Sequence, residues 1–126
     1  LGGVSMHPLD NVYEDGTLPL ESIRDAIQPD DDHLPRTRMV LLENTQSGCG
    51  GVPLPLGYTR EVAEECRERG IRVHVDGARL LNAAVAQGVT PEEALKGADS
   101  ACICLSKGLG APMGSVVVGA AAMIAK

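Results

Sequence analysis

Short unbroken apolar runs alternate with stretches of helical spacing along this chain. The run Met39-Val40-Leu41-Leu42, bracketed by Arg38 and Glu43, predicts a buried strand over 38–43. Residues 72–75 and 100–105 read as two further strands, and 115–118 as one more. Between them, residues 58–69 carry apolar positions at helical spacing and run into Gly70, a helix stop. Residues 78–87 form a helix of small residues ended by Gly88, and Pro91 opens a short helix over 92–96. Near the start, 19–27 reads as a short helix with Thr17 or Leu18 near its N-cap and Pro29 just past its end. Residues 1–18, the polar turn around Asp30-Asp31-Asp32 and the Gly- and Pro-rich stretch 45–55 read as loops, and the Ala-rich end of the chain is helix-like.

Strand, helix, strand, helix, strand is the order of a parallel α/β sheet. The strands are continuous apolar runs, which suits a sheet covered on both faces. No internal repeat and no composition shift marks a domain boundary.

With 126 residues, 44% hydrophobic and 22% charged, the chain is one ordinary globular domain's worth, or part of one. It has no Trp and no Phe, and its aromatics are Tyr13 and Tyr58, so the core must come from Val, Leu, Ile and Ala. The formal charge is −6 and the basic residues do not cluster, which argues against a nucleic-acid surface. No apolar run reaches the ~18 residues of a membrane span, and no secretory signal is visible. The chain begins at Leu1, which suits a piece of a longer polypeptide. Cys49, Cys66, Cys102 and Cys104 form no CxxC pair and read as small buried hydrophobes in a reducing, cytoplasmic setting.

Ligands of parallel α/β sheets bind beyond the carboxyl ends of the strands. There the chain places Glu43-Asn44-Thr45-Gln46, Asp76-Gly77-Ala78-Arg79 and Ser106-Lys107-Gly108-Leu109-Gly110. Each has a plain structural reading: Asp76 as a helix N-cap, Arg79 as its ion-pair partner, Lys107 as a surface lysine. Together, a strand-end carboxylate and a strand-end lysine suggest a pyridoxal phosphate site. The lysine forms a Schiff base, and the acid keeps the pyridine nitrogen protonated. Gly108-x-Gly110 is no dinucleotide fingerprint, because a strand and not a helix follows it. His74-x-Asp76 is a weak metal pair, since His74 lies inside a strand and reads as a packed residue. No metal site is expected.

The runs Leu42-Glu43-Asn44-Thr45, Gly50-Gly51, Leu54-Pro55-Leu56, His74-Val75-Asp76-Gly77-Ala78-Arg79 and Cys104 to Ser115 resemble the low-specificity L-threonine aldolases. These belong to the aromatic amino acid β-eliminating lyase/threonine aldolase family of fold-type I pyridoxal phosphate enzymes. The resemblance spans nearly the whole chain, in the family's order. It implies the central part of a fold-type I large domain: an α/β, mostly parallel sheet flanked by helices, with 115–118 antiparallel beside 100–105 and the lysine loop between them. It implies that a phosphate-binding loop region lies upstream and a small domain downstream, both outside this segment. By the same resemblance Lys107 matches the Schiff-base lysine and Asp76 the partner of the pyridine nitrogen. Ala78 matches the small residue against one ring face, Arg79 the group that holds the substrate carboxylate, and Ser106 a neighbour of the cofactor.

The implied reaction is retro-aldol cleavage of L-threonine or L-allo-threonine to glycine and an aldehyde, by a homodimer or homotetramer acting on small amino acids. Neither nucleic acid nor membrane is implied as a partner. One departure stands out. The family often has His after Asn-Thr, and this chain has Gln46, which can orient a water but cannot act as a base near neutral pH. Another lyase or transaminase reaction on the same scaffold, or an inactive segment, is therefore a competing expectation.

Overall fold

The computed structural model describes residues 3–124. Four strands, β1 (Met39–Glu43), β2 (Arg72–Asp76), β3 (Ser100–Cys104) and β4 (Ser115–Gly119), form one sheet in the order β1-β2-β3-β4. The first three are parallel and β4 runs antiparallel to β3. Among the described residues five helices accompany them: α1 (Leu20–Ala26), α2 (Tyr58–Arg67), α3 (Leu80–Gln87), α4 (Pro91–Ala94) and α5 (Ala121–Ile124). The elements agree with the hydrophobic pattern, with ends moved by one or two residues where helix termini fray.

Pleating gives the sheet two unlike faces, because alternate side chains point to opposite sides. Val73 and Val75 of β2, their partners Val40 and Leu42 on β1, and Ala101 on β3 share one face. On it lie Ile23 of α1 and Tyr58, Val62, Ala63 and Cys66 of α2, together forming the core. The other face carries Met39, Leu41 and Glu43, then Arg72, His74 and Asp76, then Ser100, Cys102 and Cys104, by the same register. Among the described residues this face is poorly covered, with Leu41 56% and Val117 58% exposed. Every residue of β4 is exposed. The continuous apolar strands predicted cover on both faces, and the described residues supply it on one.

Local chemistry explains the helix ends. α2 buries Tyr58, Val62 and Cys66 at one-turn spacing, and the chain turns away at Gly70, whose φ of 65° suits only glycine readily. α4 starts where the Thr90 hydroxyl accepts from the Glu93 amide at 3.2 Å, with Pro91 at the first position. At α1 the expected N-cap is displaced. Pro19 occupies it without a side-chain cap, because the Thr17 hydroxyl donates instead to Asp15 Oδ1 at 2.7 Å. Cys66 is the buried thiol of the core. Cys49, Cys102 and Cys104 are only half-buried, which corrects the reading of all four as core residues, and all four are unpaired.

Candidate active site

The carboxyl ends of β1, β2 and β3 are tied together by backbone bonds. The Asn44 amide donates to the Asp76 carbonyl at 2.8 Å, and the Gly77 amide donates to the Cys102 carbonyl at 2.9 Å. Glycine is favoured at 77, since a Cβ would stand 2.7 Å from that carbonyl oxygen and force the backbone to shift. The chain therefore leaves β2 tightly and delivers Asp76, Ala78 and Arg79 within one short turn.

Asp76 is half-buried, and its Oδ1 accepts from the Ala78 amide at 3.0 Å and from the Cys102 thiol at 3.4 Å. Oδ2 has no hydrogen-bond partner among the described residues. Burial first, and then the hydrogen bond to Asp76, push the Cys102 thiol above its ordinary range. The N-cap of α3 is Arg79, with φ −121° and ψ 27°, so Asp76 closes a turn and does not cap the helix. Arg79 makes no ion pair with Asp76 or any other carboxylate among the described residues, against the structural reading of that pair.

Ser106 and Lys107 sit exposed in the loop between β3 and β4. The loop closes on itself: the Leu105 amide donates to the Gly114 carbonyl at 2.9 Å, and the Ala111 amide donates to the Leu105 carbonyl at 3.0 Å. It also presses on α3. A Cβ at Gly108 would lie 2.9 Å from Asn82 Oδ1 and 3.4 Å from Leu81 Cβ. Lys107 is thereby held next to the first turn of the helix that Arg79 begins.

Gln46 is fixed differently. Its Oε1 accepts from the Cys49 amide at 3.1 Å and its Nε2 donates to Asn11 Oδ1 at 2.9 Å. Gly16 packs so closely that a Cβ there would meet Gln46 Cβ at 2.7 Å. No hydrogen bond joins the Gln46 side chain to Asp76, Arg79 or Lys107 among the described residues. Thr45, just before it, is buried with its hydroxyl unpartnered. His74 is half-buried, and its Nδ1 lies 2.7 Å from Ser100 Oγ across β2 and β3. It is a sheet cross-link and not an isolated ligand. Sequence reasoning missed Cys102 and Asn11. Both contacts depend on strand register or loop docking, which spacing along the chain does not reveal.

The fold and the rim define a class: an α/β mixed sheet presenting a carboxylate, a guanidinium and an amine beyond the ends of its parallel strands. The beta-eliminating lyase family profile matches residues 1–126, and the chain belongs to that family. It is 48% identical over 119 residues to low specificity L-threonine aldolase of Escherichia coli K12, covering 94% of this chain and 34% of that protein. It is 46% identical over 128 residues to low-specificity L-threonine aldolase 1 of Arabidopsis thaliana, covering all of this chain and 36% of that one. The chain thus spans about a third of the length of these curated relatives. A solved structure from Exiguobacterium sp. 255-15, provisionally described as an aromatic amino acid beta-eliminating lyase/threonine aldolase, superposes with TM-score 0.71 at 34% identity. That match covers 88% of this chain and 29% of the other.

Proposed function

We propose that this chain forms the central catalytic segment of a pyridoxal phosphate-dependent aldolase that cleaves β-hydroxy-α-amino acids, such as L-threonine and L-allo-threonine, to glycine and an aldehyde. The observation that carries the reading is the uncommitted state of the rim. Asp76 keeps one carboxylate oxygen free, and neither Arg79 nor Lys107 has an ion-pair partner among the described residues. Exposed charges are ordinarily solvated without a partner, but a half-buried carboxylate and a half-buried guanidinium left uncommitted beside a strand-end lysine suit an anionic, nitrogen-bearing ligand.

The residues present fit the cofactor. Oδ2 of Asp76 is available to hold a proton on a ring nitrogen. Ala78 offers a methyl-sized surface against a ring face, and Lys107 Nζ is available to hold an aldehyde carbon. When bound, pyridoxal phosphate supplies a conjugated ring that accepts the electron pair of a bond breaking at the substrate α-carbon. Arg79 binds the substrate carboxylate, which selects the bond that stands perpendicular to the ring. Ser106 precedes Lys107 in the same exposed loop, next to where the cofactor would be held. Gln46 has one amide hydrogen and one oxygen lone pair left after its bonds to Asn11 and Cys49. Those can orient a water that accepts a hydrogen bond from the β-hydroxyl and relays its proton to solvent buffer, since the amide itself is no base near neutral pH. As parts of the same reading, the intact protein is a homodimer or homotetramer and works in the cytoplasm, where its unpaired cysteines stay reduced. Among the described residues, no helix is long and apolar enough to cross a membrane.

The test is product analysis with the intact natural polypeptide, L-threonine or L-allo-threonine, and added cofactor. Glycine and acetaldehyde are expected, and Lys107→Ala should abolish both them and the cofactor's visible band. Gln46 in place of a base favours a second reading, β-elimination or transamination. Pyruvate with ammonia, or a keto acid, would replace the aldolase reading with that one. No turnover and no band would leave a segment without this chemistry.

A further inference from the structure

We infer that Cys102 is a positioning residue for Asp76: its thiol and the Ala78 amide together hold Oδ1, so that Oδ2 is the oxygen left for the cofactor's ring nitrogen. The inference rests on the pyridoxal phosphate reading above and adds a residue to it.

Strand register places the pair. Asp76 on β2 is the direct partner of Cys102 on β3, and both side chains leave the sheet on the same face. The thiol sulfur lies 3.4 Å from Oδ1, and the Ala78 amide lies 3.0 Å from the same atom. Val117, the partner of Cys102 on β4, is apolar and offers no donor from the other side. A carboxylate turns freely about its terminal torsion, where the energy wells are broad. One backbone donor fixes a single contact, and a second donor on the same oxygen narrows the rotation.

A thiol is a weak donor toward a neutral acceptor and a better one toward a carboxylate. It must keep its proton to donate. Burial and the adjacent Asp76 charge both favour the S–H form. The thiol thus serves as a donor and not as a nucleophile. The spacing of residues 76 and 102 along the chain carries no hint of this contact.

The experiment compares Cys102→Ser, Cys102→Ala and Cys102→Val in the intact natural polypeptide. The probe is pyridoxal phosphate isotopically labelled at its ring nitrogen. Two quantities are read: the cofactor's dissociation constant by absorbance, and the ring-nitrogen magnetic-resonance shift, which distinguishes a protonated from a neutral nitrogen. Serine, which keeps a donor, should match the wild type in both. Alanine and valine should weaken cofactor binding about two- to tenfold and move the ring signal toward the neutral form. Valine fills the space of the thiol, so its melting temperature separates lost hydrogen bonding from lost packing.

Wild-type constants and signals in Cys102→Ala and Cys102→Val overturn the assignment. So does an equal loss in all three variants, which would mark a packing role. Failure of the wild type to bind the cofactor, or a visible band that survives Lys107→Ala, overturns the pyridoxal phosphate reading and this inference with it. A silent alanine variant beside a binding wild type overturns this inference alone.

Discussion

The Tyr58 hydroxyl closes both backbone groups of Leu18, accepting from its amide at 2.9 Å and donating to its carbonyl at 3.0 Å. This single contact, 40 residues apart in sequence, fastens the N-terminal segment to α2. Tyr58→Phe keeps the ring in the core and leaves two backbone groups without partners. It should cost about 1–3 kcal/mol, read from urea unfolding. Burial raises the Tyr58 pKa. The folded form therefore holds its proton more tightly than the unfolded chain, so this contribution is present below pH 10 and is lost as pH rises through the folded pKa. The phenylalanine variant should lack that alkaline loss.

Glu65 of α2 pairs with Arg24 of α1 at 2.7 Å and with Arg69, in the turn after α2, at 2.7 Å. The Arg24 hydrogen bond, followed by that of Arg69, lowers its carboxyl pKa from 4.5 to about 2. A depressed folded pKa contributes stability above the unfolded value, lost as pH falls through the folded one. Unfolding midpoints measured between pH 6 and about pH 2 should fall in the wild type and fall less in Glu65→Gln. An identical acid profile in the two proteins would contradict this.

Gly77→Ala should destabilise the strand-end turn, because the new Cβ would meet the Cys102 carbonyl at 2.7 Å. A cost of about 1–3 kcal/mol is expected from the forced backbone shift. Thermal melting measures it. Hydrogen exchange of the backbone amide at position 77, which donates to that carbonyl in the unmodified chain, should speed up in the variant.

Asp76→Asn keeps the size of the side chain and removes its charge. In the proposed aldolase it should lower turnover on the order of a hundred- to a thousandfold while the cofactor still binds through Lys107. Steady-state kinetics together with the cofactor's absorbance separate these two effects. Turnover within about threefold of wild type would remove Asp76 from the proposed chemistry.

The sheet face bearing Met39, Leu41 and Val117 is exposed among the described residues. Prepared by itself, the 126-residue chain should self-associate through this face and the open β4 edge. Leu41→Lys with Val117→Lys should shift it toward monomer in light scattering coupled to size exclusion. A monomeric unmodified chain would refute the expectation.

The sequence by itself determined the elements and their order. Unbroken runs such as Met39-Val40-Leu41-Leu42 commit to strands, and Gly70, Gly88 and Pro91 set helix boundaries, because these signals are local and act within one turn. It also marked Asp76, Arg79 and Lys107, since residues that follow parallel strands fall on one rim whatever the details of packing. Only the tertiary structure decided what those residues touch. Asp76 meets Cys102 because β2 and β3 pair in one register, and a slip of one residue would turn one of them to the opposite face. Gln46 is bound to Asn11 because a distant loop docks there, and Thr17 turns to Asp15 and not to its helix. Register and docking are settled by the burial of whole faces, a sum over many residues that no short window of sequence contains.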